Sequence, residues 1–131
     1  MRRSVETPAA PAPVGPYSQA VIAGGLIFVA GQIGLDPGTG RLVPGGTSAE
    51  VAQVLANLTA VLRAAGVGPE AVVKTTIYLA DLADGPLVNE AYARAFPAPH
   101  PARATVQVAA LPAGARVEIE AVAVRDGTAR G

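Results

Sequence analysis

Two carboxylates stand two residues apart in Val117-Glu-Ile-Glu-Ala-Val-Ala-Val124. Strand alternation puts Glu118 and Glu120 on one face, followed by Val122 and Val124. Val117, Ile119, Ala121 and Ala123 take the other face. Carboxylates so placed can lie near a seam with another subunit, or they can simply sit solvated on an open sheet. Arg103 opens the preceding strand-like run after a proline-rich approach. Its planar fork suits a carboxylate held bidentately, whether a substrate's or that of a glutamate in a structural ion pair. Arg116, close to the acidic pair in sequence, competes for either glutamate. On residues alone these groups suggest a small polar site but no particular reaction.

The remaining candidates carry less. His100, between Pro99 and Pro101, reads as a surface loop residue. Lys74 lies on a strand face. Tyr92 falls on a helical stripe and reads as core, and Tyr78 lies in a strand. Tyr17, in Gly15-Pro16-Tyr17, stands where the N-terminal arm meets the first strand and is placed to line a site. The glycine-rich run from Gly38 to Gly46 precedes no Walker lysine, so it offers no phosphate cradle.

Composition narrows the chemistry further. Half of the 131 residues are hydrophobic, but only 4% are aromatic and 15% charged. The absence of Cys rules out disulfides, thiolate zinc sites and a Cys nucleophile. With one His, an all-His metal site cannot form within one chain. Any Schiff base would rest on Lys74 alone. Ten basic and ten acidic residues cancel, and without a basic run there is no electrostatic footprint for nucleic acid. No apolar stretch approaches the ~18 residues of a membrane span. Met1-Arg2-Arg3 is followed by Glu6 and prolines, not by an apolar signal core, so a soluble cytoplasmic protein is expected. A short, neutral, aliphatic chain suggests surface buried against other copies of itself.

The elements that must position these residues read as one domain over 1–131. Residues 1–14 form an extended, proline-rich arm. Strands over 18–22 and 26–33 flank Gly24-Gly25, a pair suited to a two-residue hairpin turn. Residues 35–46 form a loop. Thr47-Ser-Ala-Glu50 has the form of a capping box. Val51, Val54, Leu55, Leu58, Val61 and Leu62 follow at helical spacing, closed by Gly66. A β-branched strand covers Val72–Leu79. A second helix over 84–96 carries Leu87, Val88, Ala91, Tyr92, Ala95 and Phe96 on one stripe, with Pro86 in its first turn. Strands over 103–111 and 116–125 are joined at Pro112-Ala113-Gly114, which reads as a hairpin. Residues 126–131 read as a loose tail. Two helices and at least five strands predict an α+β domain with helices over one sheet face. The partly apolar outer face of the last strand predicts contact with another subunit.

Six blocks then form a recognisable set: Gly15-Pro-Tyr-Ser-Gln19, Val29-Ala-Gly-Gln-Ile33, Val73-Lys-Thr-Thr76, Val88-Asn-Glu-Ala-Tyr92, Pro101-Ala-Arg-Ala-Thr-Val106 and the Glu118 strand. In order and spacing they resemble the RidA (YjgF/YER057c/UK114) family of reactive intermediate imine deaminases. The resemblance covers about residues 12–125. It implies a chorismate-mutase-like α+β fold, a homotrimer with clefts between subunits, and no cofactor or metal. It also implies hydrolysis of enamines and imines such as 2-aminoacrylate and 2-aminocrotonate to 2-keto acids and ammonia. Carried over by position, Arg103 matches the clamp on the substrate carboxylate. Glu118 matches the acid that positions the attacking water or shuttles its proton. Gly31 and Thr105 match positions whose backbone approaches the substrate. Tyr17 borders the cleft and Asn89 lines it, whereas Glu120 has no matching role. Two departures stand out: Ala30 where many members carry Ser, and Thr105 where Cys is common. Other readings are a non-catalytic binding or chaperone-like trimer, a related hydrolase of another imine or amide, and RNA binding or cleavage. Zero net charge disfavours the last.

Overall fold

The structure, a computed structural model, describes residues 2–125. The expected loose tail over 126–131 lies outside them. Six strands form one mixed sheet in the order β1-β2-β3-β6-β4-β5. The strands are β1 (Arg2–Val5), β2 (Ala20–Ala23), β3 (Leu26–Gln32), β4 (Val72–Leu79), β5 (Ala102–Gln107) and β6 (Val117–Val124). Two helices, α1 (Gly46–Ala64) and α2 (Gly85–Ala95), complete the domain. No helix among the described residues is long and apolar enough to cross a membrane.

The β2–β3 hairpin turns at Gly24 and Gly25, whose φ values of 60° and 81° suit a primed two-residue turn. Helix α1 buries Val51, Val54, Leu58, Val61 and Leu62 against the sheet. Truncating any of the larger ones to Ala costs about 2–5 kcal/mol. Its C-terminus closes as a Schellman motif. Gly66 sits at φ 92°, Val67 N–H donates to Leu62 O, and Gly66 N–H donates to Arg63 O, both at 3.0 Å. Strand β4 has the expected bounds. The core face of β6 is Val117, Ile119, Ala121 and Ala123, all buried, as alternation requires.

Four expectations are corrected. The arm is not simply an extended lead-in, because Arg2–Val5 pairs antiparallel with β2 and adds a sixth strand. The capping box does not form. Gly45 is the N-cap of α1, and no side chain caps it. Thr47 Oγ1 instead donates to Asp84 Oδ2 (2.8 Å) and accepts from Arg116 Nε (2.9 Å). Glu50 Oε1 accepts from Arg116 N–H (2.8 Å). Both box residues are spent on tertiary ties, which a local pattern cannot reveal. Leu87 faces outward at 39% exposure, while Val88 and Tyr92 carry the buried stripe of α2. Finally, β5 and β6 make no hairpin. Strand β6 inserts between β3 and β4, antiparallel to both, and β5 lies parallel to β4 at the sheet edge.

Candidate active site

The bulge in β3 shapes one side of the site. Val29 pairs with Ala121 and Gln32 with Ile119, so Ala30 and Gly31 together oppose Glu120 alone. Such an extra residue bends a strand and re-aims its neighbours. At Gly31 the backbone comes directly against the Glu118 side chain. A Cβ there would collide with Glu118 Oε2 and lie 2.9 Å from Cδ. The position accepts glycine because the carboxylate occupies the space of a side chain.

Glu118 lines a cavity of about 380 Å³. Tyr17, Ala30 and Gly31 border it, Ile33 and Leu35 add apolar wall, and Pro11, Ala12 and Val14 of the arm close one side. Burial, and secondarily the Glu120 charge, raise the Glu118 carboxyl above the usual glutamate range. A carboxyl so displaced exchanges protons nearer neutrality than a free one. Tyr17 takes its place through a tight turn in which its N–H donates to Gly15 O at 2.8 Å.

Arg103 is elsewhere. In the β4–β5 register it lies beside Thr75, which is fully buried under the helices, whereas Glu118 pairs with Tyr78 on the opposite sheet face. The Arg103 guanidinium stacks over the Tyr92 ring, 4.9 Å from its centroid. Tyr92 is fixed in turn by a 2.6 Å hydrogen bond between its hydroxyl and that of Thr75. The fork is thereby oriented by packing, and among the described residues no hydrogen bond or ion pair takes its donors. Asn89, Tyr92, His100 and Arg103 line a second cavity of about 270 Å³. His100 was expected only as a surface residue. It is exposed, yet it borders this cavity, with Nδ1 3.1 Å from Phe96 O. Thr105 shares the Arg103 face, and its Oγ1 is shielded with no hydrogen-bond partner.

The sequence-named residues therefore fall into two groups. Tyr17, Gly31 and Glu118 share the first cavity, while Asn89 and Arg103 share the second. The single chain does not bring Arg103 and Glu118 together. The competing partner Arg116 pairs with Asp84 at 3.2 Å, not with Glu118 or Glu120. Lys74 donates to Thr76 Oγ1 and lines neither cavity. Among the described residues, no group of three or more His, Cys, Asp or Glu is placed to hold a metal ion. One residue escaped sequence reasoning: Gln19, buried beneath the arm, whose only signal was its place in the Gly15–Gln19 block.

The chain is similar to known proteins over nearly its whole length. The profile of the family described as Endoribonuclease L-PSP matches residues 7–125. The 2-iminobutanoate/2-iminopropanoate deaminase of Mus musculus is 54% identical over 125 residues, covering 95% of this chain and 93% of that protein. The crystal structure of RidA from an Antarctic Psychrobacter superposes with a TM-score of 0.90 at 44% identity, covering 93% of this chain and 98% of that one. Escherichia coli TdcF with bound serine superposes at 0.89 and 38% identity, covering 95% and 99%.

Proposed function

Because the chain belongs to the Endoribonuclease L-PSP (YjgF/RidA) family, we propose that it is an imine deaminase that converts 2-iminobutanoate and 2-iminopropanoate to 2-keto acids and ammonia. The observation that carries the reading is the pair of half-sites: an oriented guanidinium on one sheet face and a half-buried carboxyl, raised above the usual glutamate range by burial, on the other. A carboxylate-bearing imine needs both.

Two half-sites on opposite faces become one site when copies of the chain meet. The outer sheet face supports such an assembly. Phe28 is 46% exposed there, and Leu26 and Val124 lie beside it in register, also exposed. A contiguous apolar strip of this kind marks an interaction surface. In a homotrimer, each subunit's Arg103 cavity meets the Glu118 cavity of its neighbour. The closed ring leaves no unpaired interface.

The chemistry then follows from the groups. Arg103 takes the substrate carboxylate bidentately. The enamine tautomerises to the imine, whose C2 is already electrophilic. On the protonated imine, ionised Glu118 accepts a proton from water as the oxygen bonds to C2 and the C=N π electrons move to nitrogen, giving a neutral carbinolamine. Glu118 returns that proton to the nitrogen; it then takes the hydroxyl proton as the O–H electrons form C=O, the C–N bond breaks and ammonia leaves, carrying a proton away as ammonium and leaving the 2-keto acid. Backbone groups of Gly31 and Thr105 approach the substrate, and Tyr17 and Asn89 border it. Orientation does most of the work. A ribonuclease reading, which the family description invites, lacks the basic footprint that phosphate contacts require.

The test is direct. A threonine dehydratase generates 2-aminocrotonate, and keto-acid release is followed with and without the protein. Acceleration that disappears in Arg103→Ala supports the reading; no acceleration by the wild type overturns it.

A further inference from the structure

The arm over the Glu118 cavity poses a hydrogen-bonding problem. Pro8, Pro11, Pro13 and Pro16 remove four backbone donors from it, so its carbonyls cannot all be met by local turns. Gln19, only 2% exposed, meets them from below. Its Nε2 lies 3.1 Å from Thr7 O, 3.3 Å from Ala10 O and 2.9 Å from Pro11 O, and its Oε1 accepts from Thr7 N–H at 2.7 Å. The Gln19 backbone is itself tied to the bulged strand, since Ala30 N–H donates to Gln19 O at 2.9 Å. One residue thus joins the arm, through its side-chain amide, to the strand that carries Gly31, through its backbone carbonyl.

The held segment is a wall of the cavity. Pro11, Ala12 and Val14 line it together with Ile33, Leu35 and Pro112, and every one of these side chains is apolar. Arg103 accounts for the substrate carboxylate and Glu118 for the reacting carbon. The part of an imine left to meet this wall is its side chain.

We propose that Gln19 is a positioning residue that pins the Pro11–Val14 arm as the apolar wall receiving the imine side chain, so that this site favours imines with unbranched aliphatic side chains longer than methyl. The inference rests on the imine-hydrolase reading and supplies its substrate preference. Each methylene placed against the wall is worth about fourfold in kcat/KM.

The test uses the full-length protein and imines produced in situ by an amino-acid oxidase from alanine, 2-aminobutyrate and norvaline. In the wild type, kcat/KM rises along that series through KM. In Gln19→Ala the rise flattens to within about twofold, with kcat for the alanine-derived imine little changed. Ala12→Leu, which leaves Gln19 in place, narrows the wall and lowers kcat/KM for the norvaline-derived imine more than for the alanine-derived one. A flat series in the wild type, or an equal loss for all three imines in both variants, overturns the proposal. Hydrogen exchange gives a readout free of activity: the Thr7 amide is protected in the wild type and exchanges freely in Gln19→Ala. Protection that persists in Gln19→Ala also overturns it. Failure of the wild type to hydrolyse any imine would instead reject the reaction, and the exchange measurement would still decide the arm.

Discussion

The Glu118 carboxylate occupies the space that a Cβ on residue 31 would need, so Gly31 and Glu118 are a matched pair across β3 and β6. The bulge at Ala30–Gly31 brings the backbone under the acid, and the missing side chain lets the acid stay. Gly31→Ala is expected to push the carboxylate aside by about 1 Å and to lower kcat by about 10²-fold. The strand φ is ordinary, so the fold should survive. Steady-state rates on 2-aminocrotonate beside a thermal melt check both halves of this prediction.

Arg103 is held by stacking on Tyr92, and a lysine ammonium cannot reproduce that planar, two-pronged orientation. Arg103→Lys should therefore lose most of the activity despite keeping the charge, with KM raised at least tenfold if, as proposed, the lost contact is to the substrate carboxylate. Tyr92→Phe keeps the ring but removes the hydroxyl bonded to Thr75. It should lie between Lys at position 103 and wild type. Kinetics on the three proteins rank the contributions.

The raised Glu118 carboxyl links stability to pH in a definite direction. Burial first and the Glu120 charge second hold its folded value above that of the unfolded chain. The stabilisation is present below the unfolded value and is lost as pH rises through the folded one. Glu118→Gln does not ionise, so its unfolding midpoint in urea should gain on the wild type as pH rises from the ordinary glutamate range through the raised folded value. Glu120→Gln removes the second cause and should shrink the gain. A constant gap across that window would contradict the assignment.

How much of this was legible in sequence depended on whether a signal was local. The Gly24-Gly25 turn, the 3.6-residue stripe from Val51 to Leu62 and the alternation in Val117–Val124 each fix their own neighbourhood, and each appears in the fold. Strand order is not local. Nothing in Pro112-Ala113-Gly114 reveals that β6 leaves β5 to enter between β3 and β4. The arm reads as proline-rich coil because its first four paired residues owe their strand geometry to β2. The candidate site residues stand in the sequence as types in motif positions. Their division between two sheet faces is not legible there, because it follows from that strand order.

The diverted capping box makes a separate prediction about stability. Glu50 is buried and accepts the Arg116 backbone N–H, whereas the Arg116 side chain is 43% exposed. Glu50→Ala strands a buried donor and should cost about 1–3 kcal/mol. Arg116→Ala loses a partly exposed ion pair with Asp84 and the Nε–H bond to Thr47 Oγ1, and should cost about 1 kcal/mol. Denaturant titrations of the two variants test the order; a larger loss for Arg116→Ala would contradict it.

The placement of Arg103 and Glu118 on opposite faces makes the strongest demand. If each site takes its Arg103 from one subunit and its Glu118 from the next, then Arg103→Ala and Glu118→Gln subunits are each inactive alone but complementary in a mixed ring. A site is intact when a Glu118→Gln subunit supplies the arginine and an Arg103→Ala subunit supplies the glutamate. Random equimolar trimers should therefore recover about a quarter of the wild-type rate after the two proteins are unfolded and refolded together. The double variant, refolded in equal amount with wild type, should drag the activity below the wild-type half-share to about a quarter, whereas a site held within one chain would keep the half. Phe28→Glu, which charges the exposed apolar strip, should yield monomers by sedimentation and abolish activity while both cavities remain formed. Full activity in that monomer, or no recovery in the mixed ring, would show that one chain can bring the two groups together by itself.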